Sequence, residues 1–379
     1  MINDISAKLA EKGHEVTVIT GMPNYPSGKI YGEYKNGKIK NEVINGVSIK
    51  RCLIIPRGKN HICLLLNYIS FMVSSSYRLN SMDDSYDVIY VYQMTPITVL
   101  YSAIKYAKKN NKKVFCYCLD LAPASGIQLI KRLNLISNMY YRFSNWAYRN
   151  CDIIGVTSKS FIAYIHAIHG IELNKMRYIP QHAPVDLINE NLAKSPNDII
   201  EFMFAGNMGE GAKLEVIIHA GEILKNRKRY FKIYFVGEGR AKKTLTKLTE
   251  DLKLNDNIIF CDAVPMNEMK KKYRLADALL VTLRAGQITI PGKLQAYMST
   301  GKPIFGAMDG SGKELINEVN CGKCVSAEDI TGLANIMEHF IDHMEDYQQC
   351  GKNGREYFRR NFTLDEHIKQ LELGLVNLK

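Results

Sequence analysis

The sequence is poor in the features that mark membrane-embedded and low-complexity chains. Its 379 residues include one tryptophan and 11 prolines and show no short-period repeat. The longest apolar stretch, residues 61–73, is interrupted by Asn67 and Ser70. It is shorter than the ~20 residues of a membrane span and therefore predicts a buried helix. The first six residues have neither the basic nor the apolar region of a signal peptide, which favours a cytoplasmic protein.

Cysteine is present, but not in a pattern that builds disulfides or a zinc site. The nine cysteines are an odd number and fall in segments typical of a core, such as residues 115–118. Such use favours a reducing compartment. One Cys-x-x-Cys pair, Cys321 with Cys324, has no second pair to complete a zinc site. The sequence therefore predicts neither a metal centre nor a disulfide framework.

The charge is unevenly distributed along the chain. The net charge is +12, and residues 1–190 hold 23 lysines and arginines against 13 aspartates and glutamates, while the remainder holds 27 against 25. The excess in the first half indicates an anionic partner, which is a nucleic acid, an acidic membrane surface or a phosphorylated substrate. No nucleic-acid-binding motif is present, which argues against the first of these.

Strand and helix patterns alternate through both halves of the chain. Alternation of this kind predicts parallel, doubly wound sheets covered on both faces. The polar, Pro-containing segment 189–198 separates two such series. The sequence therefore predicts an α/β protein of two nucleotide-binding-type domains. The predicted strands are residues 15–20, 86–92, 113–118 and 152–157 in the first series and 199–205, 231–236, 258–261, 278–282 and 303–306 in the second.

Two segments that follow predicted strands of the second series suit a phosphate. Residues 204–211 run from a strand into glycines and then a helix, an arrangement that fits either an anion site or a tight turn. In residues 287–303, Thr289 is a predicted helix cap, Pro291 suits a first turn and Gly292 permits close approach. Lys293 then places a full positive charge beside exposed N–H groups. This second segment predicts a diphosphate site, the alternative being a solvated lysine at an ordinary helix start.

Two other glycine-bearing segments are less specific. Residues 308–314 look like a P-loop, but Glu314 stands where a Mg²⁺-binding serine or threonine is needed. Gly237 and Gly239 follow a predicted strand and fit either a nucleotide contact or a turn.

Seven stretches carry a resemblance to a known family: residues 13–31, 56–59, 66–71, 120–125, 179–182, 205–207 and 290–298. The chain resembles the retaining sugar-nucleotide glycosyltransferases of the GT-B fold, family four. Within them it is similar to the WbuB-type amino-sugar transferases, with an L-fucosamine-like sugar, of bacterial O-antigen and capsule synthesis. The resemblance spans residues 5 to about 375 of the printed sequence.

The resemblance implies two Rossmann-like domains that face a cleft. Residues 1–190 would bind the acceptor, 199–355 a UDP-sugar, and a C-terminal helix in 356–379 would pack back toward the first domain. It implies transfer with retention and with neither a metal nor another cofactor. The acceptor would be a lipid-linked saccharide at the inner face of the cytoplasmic membrane. The basic and aromatic segment 131–146 suits an anionic membrane surface, or else is a buried helix with basic flanks.

The resemblance also assigns roles to individual residues. Lys293 matches the basic residue at the start of the donor helix. Gln287 and Gln295 stand where many relatives have glutamates that contact the donor sugar and the ribose, and an amide can still hydrogen-bond hydroxyls. Asp120 matches a residue that contacts donor or acceptor, or else caps a helix. The candidate catalytic residues are Lys293, Asp120 and Gln287, and the candidate nucleotide-binding residues are Gly206, Asn207, Gly209, Gly237, Thr289, Ile290, Pro291, Gly292, Lys293 and Gln295.

One element of the family is missing from the pattern. Relatives begin with a strand and a Gly-rich loop before the helix that here starts at residue 1. In a doubly wound sheet the first strand lies in the middle, so its absence predicts a gap with unpaired backbone groups. The true start then lies upstream, or the chain is a truncated copy. Two alternatives to the transferase stay open: a sugar-nucleotide 2-epimerase on the same architecture and a catalytically inactive remnant.

Overall fold

A computed structural model describes the whole chain except residues 26, 59, 84, 123–133, 184–186, 191, 193–198, 266–267, 288 and 379. The chain divides into two compact units. Unit 1 is Met1–Pro180 together with His367–Lys379, and unit 2 is Gln181–Glu366. The border between them precedes the predicted linker at 189–198, most of which lies outside the described residues.

Unit 1 distributes its strands over two sheets. The first has the order β1-β3-β2, in which β1 and β3 are parallel and β2 and β3 form an antiparallel hairpin. The second has the order β4-β5-β6-β7 and is parallel throughout. The strands are β1 (Thr17–Gly21), β2 (Asn41–Ile44), β3 (Val47–Cys52), β4 (Val88–Gln93), β5 (Lys113–Cys118), β6 (Ile153–Val156) and β7 (Met176–Tyr178).

The two sheets of unit 1 are separated where the sequence predicts a missing strand. Within the described residues, β1 pairs only with β3 and β4 pairs only with β5, so each strand has one open edge. A hydrogen bond of 3.3 Å between Tyr86 Oη and Thr17 Oγ1 joins the chain near the beginnings of these two strands. The result is a doubly wound arrangement whose sheet is divided between β1 and β4.

Helices cover the strands of unit 1. Amphipathic periodicity places Ile5 and Leu9 of the first helix, and Leu100 and Ile104 of the third, in the core. The second helix differs from the prediction of a buried helix. Its residues Ile62–Asn80 are long and apolar enough to cross a membrane by length and composition, and 11% of that window is buried. The helices are α1 (Ile2–Glu11), α2 (His61–Asn80), α3 (Val99–Lys109), α4 (Asn134–Arg149) and α5 (Lys159–His169).

Unit 2 contains one six-stranded parallel sheet with the order β10-β9-β8-β11-β12-β13. Its strands are mostly apolar because helices cover both faces. Phe202, Phe204, Phe235 and Phe305 are fully buried at its centre. The strands are β8 (Ile200–Ala205), β9 (Phe231–Val236), β10 (Ile258–Cys261), β11 (Ala278–Thr282), β12 (Ile304–Ala307) and β13 (Gly322–Val325). The helices are α6 (Glu215–Asn226), α7 (Lys242–Asp251), α8 (Met269–Leu275), α9 (Gly292–Thr300), α10 (Gly310–Val319), α11 (Ile330–Asp342) and α12 (Gln348–Asn361).

The strand order of unit 2 locates a crevice. From β8 the chain proceeds through β9 and β10 to one edge of the sheet and then through β11, β12 and β13 to the other. The connections after β8 and β11 therefore depart in opposite directions. In open α/β sheets this switch point, at the carboxyl ends of the strands, is where ligands bind.

The last helix, α13 (Leu364–Val376), returns to unit 1. His367 Nδ1 lies 2.8 Å from the Pro180 carbonyl oxygen, and its ring packs edge-on against Tyr117. A Cβ at Gly374 would lie 2.6 Å from the Phe115 ring, so glycine allows the helix to approach β5. Helix α12 belongs to unit 2 by contrast, so the segment 356–379 is divided between the units.

Candidate active site

Two strand ends approach closely at the switch point of unit 2. Gly206 follows β8 with φ +143°, and Gly237 follows β9 with φ +146°. A Cβ at Gly237 would lie 2.1 Å from the Gly206 carbonyl oxygen, so only glycine fits there. Met208 N donates to Glu238 O at 2.8 Å and joins the two loops. The glycines therefore bring the loops after β8 and β9 together.

The amino-terminal end of α9 lies on the far side of the same crevice. Helix α9 begins at Gly292 with Pro291 as its N-cap residue, and among the described residues no side chain caps it. The prediction that Thr289 caps the helix is wrong: this residue is exposed, and the chain enters the helix through the extended Pro291. A Cβ at Gly292 would meet nothing within 4 Å. The first N–H groups of α9 are therefore approachable by an anion.

Lys293 connects α9 to the loop after β8. Its Nζ lies 3.8 Å from the centroid of the Phe204 ring and 3.5 Å from the position of a Gly206 Cβ. Burial lowers the pKa of Lys293 from 10.5 to about 7. The full positive charge expected from the sequence is thus replaced by an ammonium that is partly deprotonated at neutral pH in the free protein. A bound diphosphate would restore the charge.

The structure places the two glutamines of the predicted site differently. The Nε2 atom of Gln287 lies 3.2 Å from the point where a Cβ on Gly211 would be. The loop after β11, which contains Gln287, therefore lies against the segment after β8, which contains Gly211. Gln295 is 3% exposed, and within the described part of the chain its Oε1 has no hydrogen-bond partner. A buried, unsatisfied amide oxygen costs about 1–3 kcal/mol. A ligand hydroxyl that donates a hydrogen bond to Gln295 Oε1 would remove that cost.

The remaining residues of the loop after β8 have distinct environments. Asn207 is exposed, and its Nδ2 lies 3.3 Å from the position of a Gly209 Cβ. Lys213 adopts φ +49° and forms ion pairs with Glu215 at 3.1 Å and Glu328 at 3.8 Å. Lys213 is therefore already paired with carboxylates, which leaves Lys293 as the cation nearest to Gly206 among the contacts described.

Asp120 lies in unit 1, whereas the other candidate residues lie in unit 2. Its Oδ2 accepts a hydrogen bond of 2.9 Å from the N–H of Thr95, and its carbonyl oxygen accepts one of 3.0 Å from Gln93 Nε2. The carboxylate thus closes the loop after β4, and residues 123–133, where a helix that Asp120 could cap would lie, are outside the described residues. This contact fixes Asp120 at the carboxyl ends of β4 and β5.

Two positioning residues were missed by the sequence analysis. Phe204 supplies the ring beneath the Lys293 ammonium. Tyr297 of α9 fixes the end of β8, because its hydroxyl accepts from Ala205 N at 2.7 Å and donates to Ala205 O at 3.1 Å. Both residues are fully buried, and in sequence they look like ordinary core aromatics. The only available signal was the spacing of Phe204 two residues before Gly206.

The thiols of the Cys-x-x-Cys pair are held in their protonated form by burial. Burial raises the pKa of Cys321 to about 12 and that of Cys324 to about 11. Across the ranges that the structure describes, no group of three or more His, Cys, Asp or Glu side chains is arranged to hold a metal ion.

Both halves of the chain match models of known protein families. Residues 1–186 match the model described as Glycosyltransferase Family 4, and residues 188–357 match Glycosyl transferases group 1. WcaI of Escherichia coli (strain K12), named as a colanic acid biosynthesis glycosyl transferase, is 26% identical over 313 residues, or 77% of this chain and 75% of its own.

Solved structures show the same fold. The lipopolysaccharide glycosyltransferase WaaG superposes with a TM-score of 0.70 at 14% identity, over 98% of this chain and 94% of its own. HepE of Anabaena in complex with UDP-glucose superposes with a TM-score of 0.69 at 15% identity, over 96% and 100%. The chain therefore combines a Glycosyltransferase Family 4 domain with a Glycosyl transferases group 1 domain, in the GT-B fold.

Proposed function

We propose that the protein transfers a sugar from a UDP-sugar to a lipid-linked saccharide, with retention of configuration and without a metal. The observation that carries this proposal is the position of Lys293, whose ammonium lies beside Gly206 at the switch point of unit 2. The uncapped start of α9 and the approach at Gly292 surround the same place. These are the parts that a pyrophosphate requires: N–H donors, a cation and a backbone without a side chain.

The geometry supports departure of the nucleotide diphosphate. As the bond from the anomeric carbon to the phosphate oxygen lengthens, negative charge grows on that oxygen and the sugar becomes oxocarbenium-like. The N–H groups of α9 and a protonated Lys293 interact more strongly with this charge than with the bound substrate, which lowers the barrier. The acceptor oxygen forms its bond to carbon on the face that the phosphate leaves, and the departing phosphate receives the acceptor proton.

The pathway and the substrates are proposed from the relatives. WcaI is named for colanic acid biosynthesis and WaaG for lipopolysaccharide biosynthesis, while HepE was solved with UDP-glucose. We infer a role in assembly of a bacterial surface polysaccharide, with a UDP-linked N-acetylated amino or deoxyamino sugar as donor. A lipid-linked acceptor would be used at the inner face of the cytoplasmic membrane. Gln295, with its unsatisfied Oε1, is the proposed ribose contact, and Gln287 the proposed donor-sugar contact.

The first experiment tests the donor site with a matched pair of lysines, one at the start of α9 and one just beyond its end. Lys293→Met removes the ammonium at the start of the helix and keeps an apolar stem. The control Lys302→Met alters the buried lysine just beyond the other end, whose Nζ donates to Ala276 O. Isothermal titration with UDP should show a loss of affinity for Lys293→Met, with roughly a 10²–10³-fold loss of turnover. Equal UDP affinity in both variants and the wild type would contradict the assignment.

The second experiment distinguishes the reaction from its alternatives. Each UDP-sugar is incubated with and without a lipid-linked acceptor, and the products are identified by mass spectrometry. Transfer only with acceptor supports the proposal, while release of free sugar without acceptor favours the 2-epimerase. Binding of UDP with no product from any donor and acceptor pair supports an inactive remnant. Proton NMR of the new linkage tests retention, and activity in EDTA tests metal independence.

A further inference from the structure

Helix α2 of unit 1 exposes its apolar face. Six side chains at helical spacing lie on one side of the helix, and we name them the α2 stripe. Their spacing of three or four residues keeps them on one face over about 24 Å of helix. The exposed fractions are Ile62 71%, Leu65 58%, Leu66 42%, Ile69 42%, Val73 59% and Tyr77 80%.

The opposite face of α2 packs against the protein through half-buried apolar side chains, such as Leu64 and Phe71, and through polar side chains. Asn67 is 8% exposed and donates to the Ile55 carbonyl oxygen at 2.6 Å, while Ser70 Oγ accepts from Ile55 N at 2.9 Å. Ser75 is 1% exposed and lies 3.0 Å from Ser102 Oγ of α3. These bonds fix the orientation of the helix. The α2 stripe is therefore directed outward by specific contacts, an arrangement opposite to that of a water-facing helix.

The charges around the α2 stripe suit an anionic lipid surface. Residues 61–77 contain no aspartate, glutamate, lysine or arginine, and Arg57 precedes the helix. Arg57 also lies over the ring of Tyr25, which is 72% exposed. Unit 1 as a whole carries 25 lysines and arginines against 12 aspartates and glutamates, whereas unit 2 carries 25 against 26. Uncharged apolar side chains flanked by cations are typical of helices that lie in a membrane interface.

The ends of the helix define how it would lie. Asp83 and Asp87 follow α2 and are exposed, so the carboxyl-terminal end is the less favourable one near anionic headgroups. Asn67 and Ser75 hold the helix against its own unit along its length, so a bilayer would be met from one side only. The geometry fits a helix lying in the plane of the interface and not one that spans the bilayer.

We propose that the α2 stripe is a membrane-docking surface. It inserts into the boundary between the headgroups and acyl chains of an anionic bilayer, with Arg57 at the headgroups. This surface differs from the segment 131–146 suggested by the sequence, of which residues 131–133 lie outside the described residues. The proposal does not rest on the donor site, because that site lies in unit 2.

The test is flotation of the full-length protein with vesicles of phosphatidylcholine, alone or mixed with phosphatidylglycerol. The variant Leu65→Ser with Val73→Ser removes two members of the α2 stripe. Its matched control, Leu173→Ser with Val376→Ser, removes the same residue types at 58% and 51% exposure elsewhere in unit 1. We expect the first variant to lose vesicle affinity roughly tenfold per side chain and the control to bind like the wild type. Arg57→Gln should lower affinity about fivefold on the mixed vesicles alone.

Several outcomes would overturn the proposal. Wild-type vesicle binding by the stripe variant would do so, as would equal losses in the stripe variant and its control. Loss of binding only in Met139→Ser, on α4, would locate the membrane surface there instead. Dissociation of a dimer by the stripe variant without a change on vesicles, measured by analytical ultracentrifugation, would identify a second copy as the occupant. UDP titration of the same variants should give the wild-type affinity, so a failed donor site and a failed docking surface are distinguishable.

Discussion

The two units differ in the continuity of their sheets. In unit 2 the strand β8 has neighbours on both sides, and the loops after β8, β9 and β11 meet around Gly206 and Lys293. In unit 1 the strands β1 and β4 belong to separate sheets with open edges. The comparison shows what a central strand contributes: it brings neighbouring loops within contact distance and satisfies the backbone on both sides. The candidate donor site lies in the unit whose sheet is continuous.

The units also differ in charge and surface. The excess of basic residues lies in unit 1, which exposes the α2 stripe, whereas unit 2 is close to neutral. This division matches a protein in which one unit holds the nucleotide and the other meets an anionic surface. The following predictions test or refine the comparison of the two units.

The largest effect is expected where the strand ends of unit 2 are closest. Gly237→Ala places a Cβ 2.1 Å from the Gly206 carbonyl oxygen at φ +146°, and neither backbone can move without breaking the sheet. We expect a loss of more than about 3 kcal/mol in the free energy of unfolding. Hydrogen exchange should increase across β8 and β9 of unit 2. Gly292→Ala, where the Cβ meets open space, is the control and should keep the wild-type stability. Similar stabilities of the two variants would contradict the described packing.

Nucleotide binding should stabilise unit 2 selectively. At a UDP concentration about 100 times its dissociation constant, the expected gain is about 2.7 kcal/mol. Hydrogen exchange should slow in residues 206–211, 237–241 and 289–294 and remain unchanged in β1 to β3. If UDP slowed hydrogen exchange only in peptides of unit 1, the assignment of the nucleotide site to unit 2 would be wrong.

The pH dependence of UDP affinity follows from Lys293. Its pKa in the free protein is about 7, and a bound diphosphate favours the protonated form. Affinity should therefore fall about tenfold for each pH unit above about 7, as the free protein loses the proton that binding requires. Lys293→Arg keeps its charge, so its affinity should change only by the titration of UDP itself. A wild-type profile parallel to that of Lys293→Arg would exclude this role.

The smallest effect is expected in unit 1, at its surface. Glu372 of α13 forms ion pairs with Lys12 and, at 2.7 Å, with His14, and these hydrogen bonds hold the pKa of Glu372 below its ordinary value. Because the pairs are partly exposed, Glu372→Gln should cost less than about 1 kcal/mol. Urea unfolding, followed by hydrogen exchange in α1 and β1, would measure this loss of stability. A loss several times larger, or one confined to unit 2 peptides, would show that this contact is not a local one.

Most of the fold was predictable because it depends on local patterns. The β-branched and apolar runs predicted nine of the thirteen strands in the described residues, whereas β2, β3, β7 and β13 were missed. Gly206, Gly237 and the segment Pro291–Lys293 marked the loops of the candidate donor site. The missing central strand was also predicted, and the open edges of β1 and β4 agree with it. The sequence could not show that Phe204 packs beneath Lys293 or that Tyr297 fixes the end of β8, because both look like ordinary core aromatics.

The sequence by itself determined nine of the strands, the glycine turns and the presence of a lysine at the start of α9, because these depend on residues close to one another in the chain. Only the tertiary structure decided the state of Lys293, since its pKa depends on burial against Phe204, a residue distant in sequence. It also decided that Asp120 bonds to Thr95 and that the α2 stripe faces outward, because Asn67 and Ser75 on the opposite face find partners on other elements. Hydrophobicity alone predicts that the apolar face of a helix is buried, whereas at α2 the bonds of Asn67 and Ser75 to other elements fix which face is turned inward.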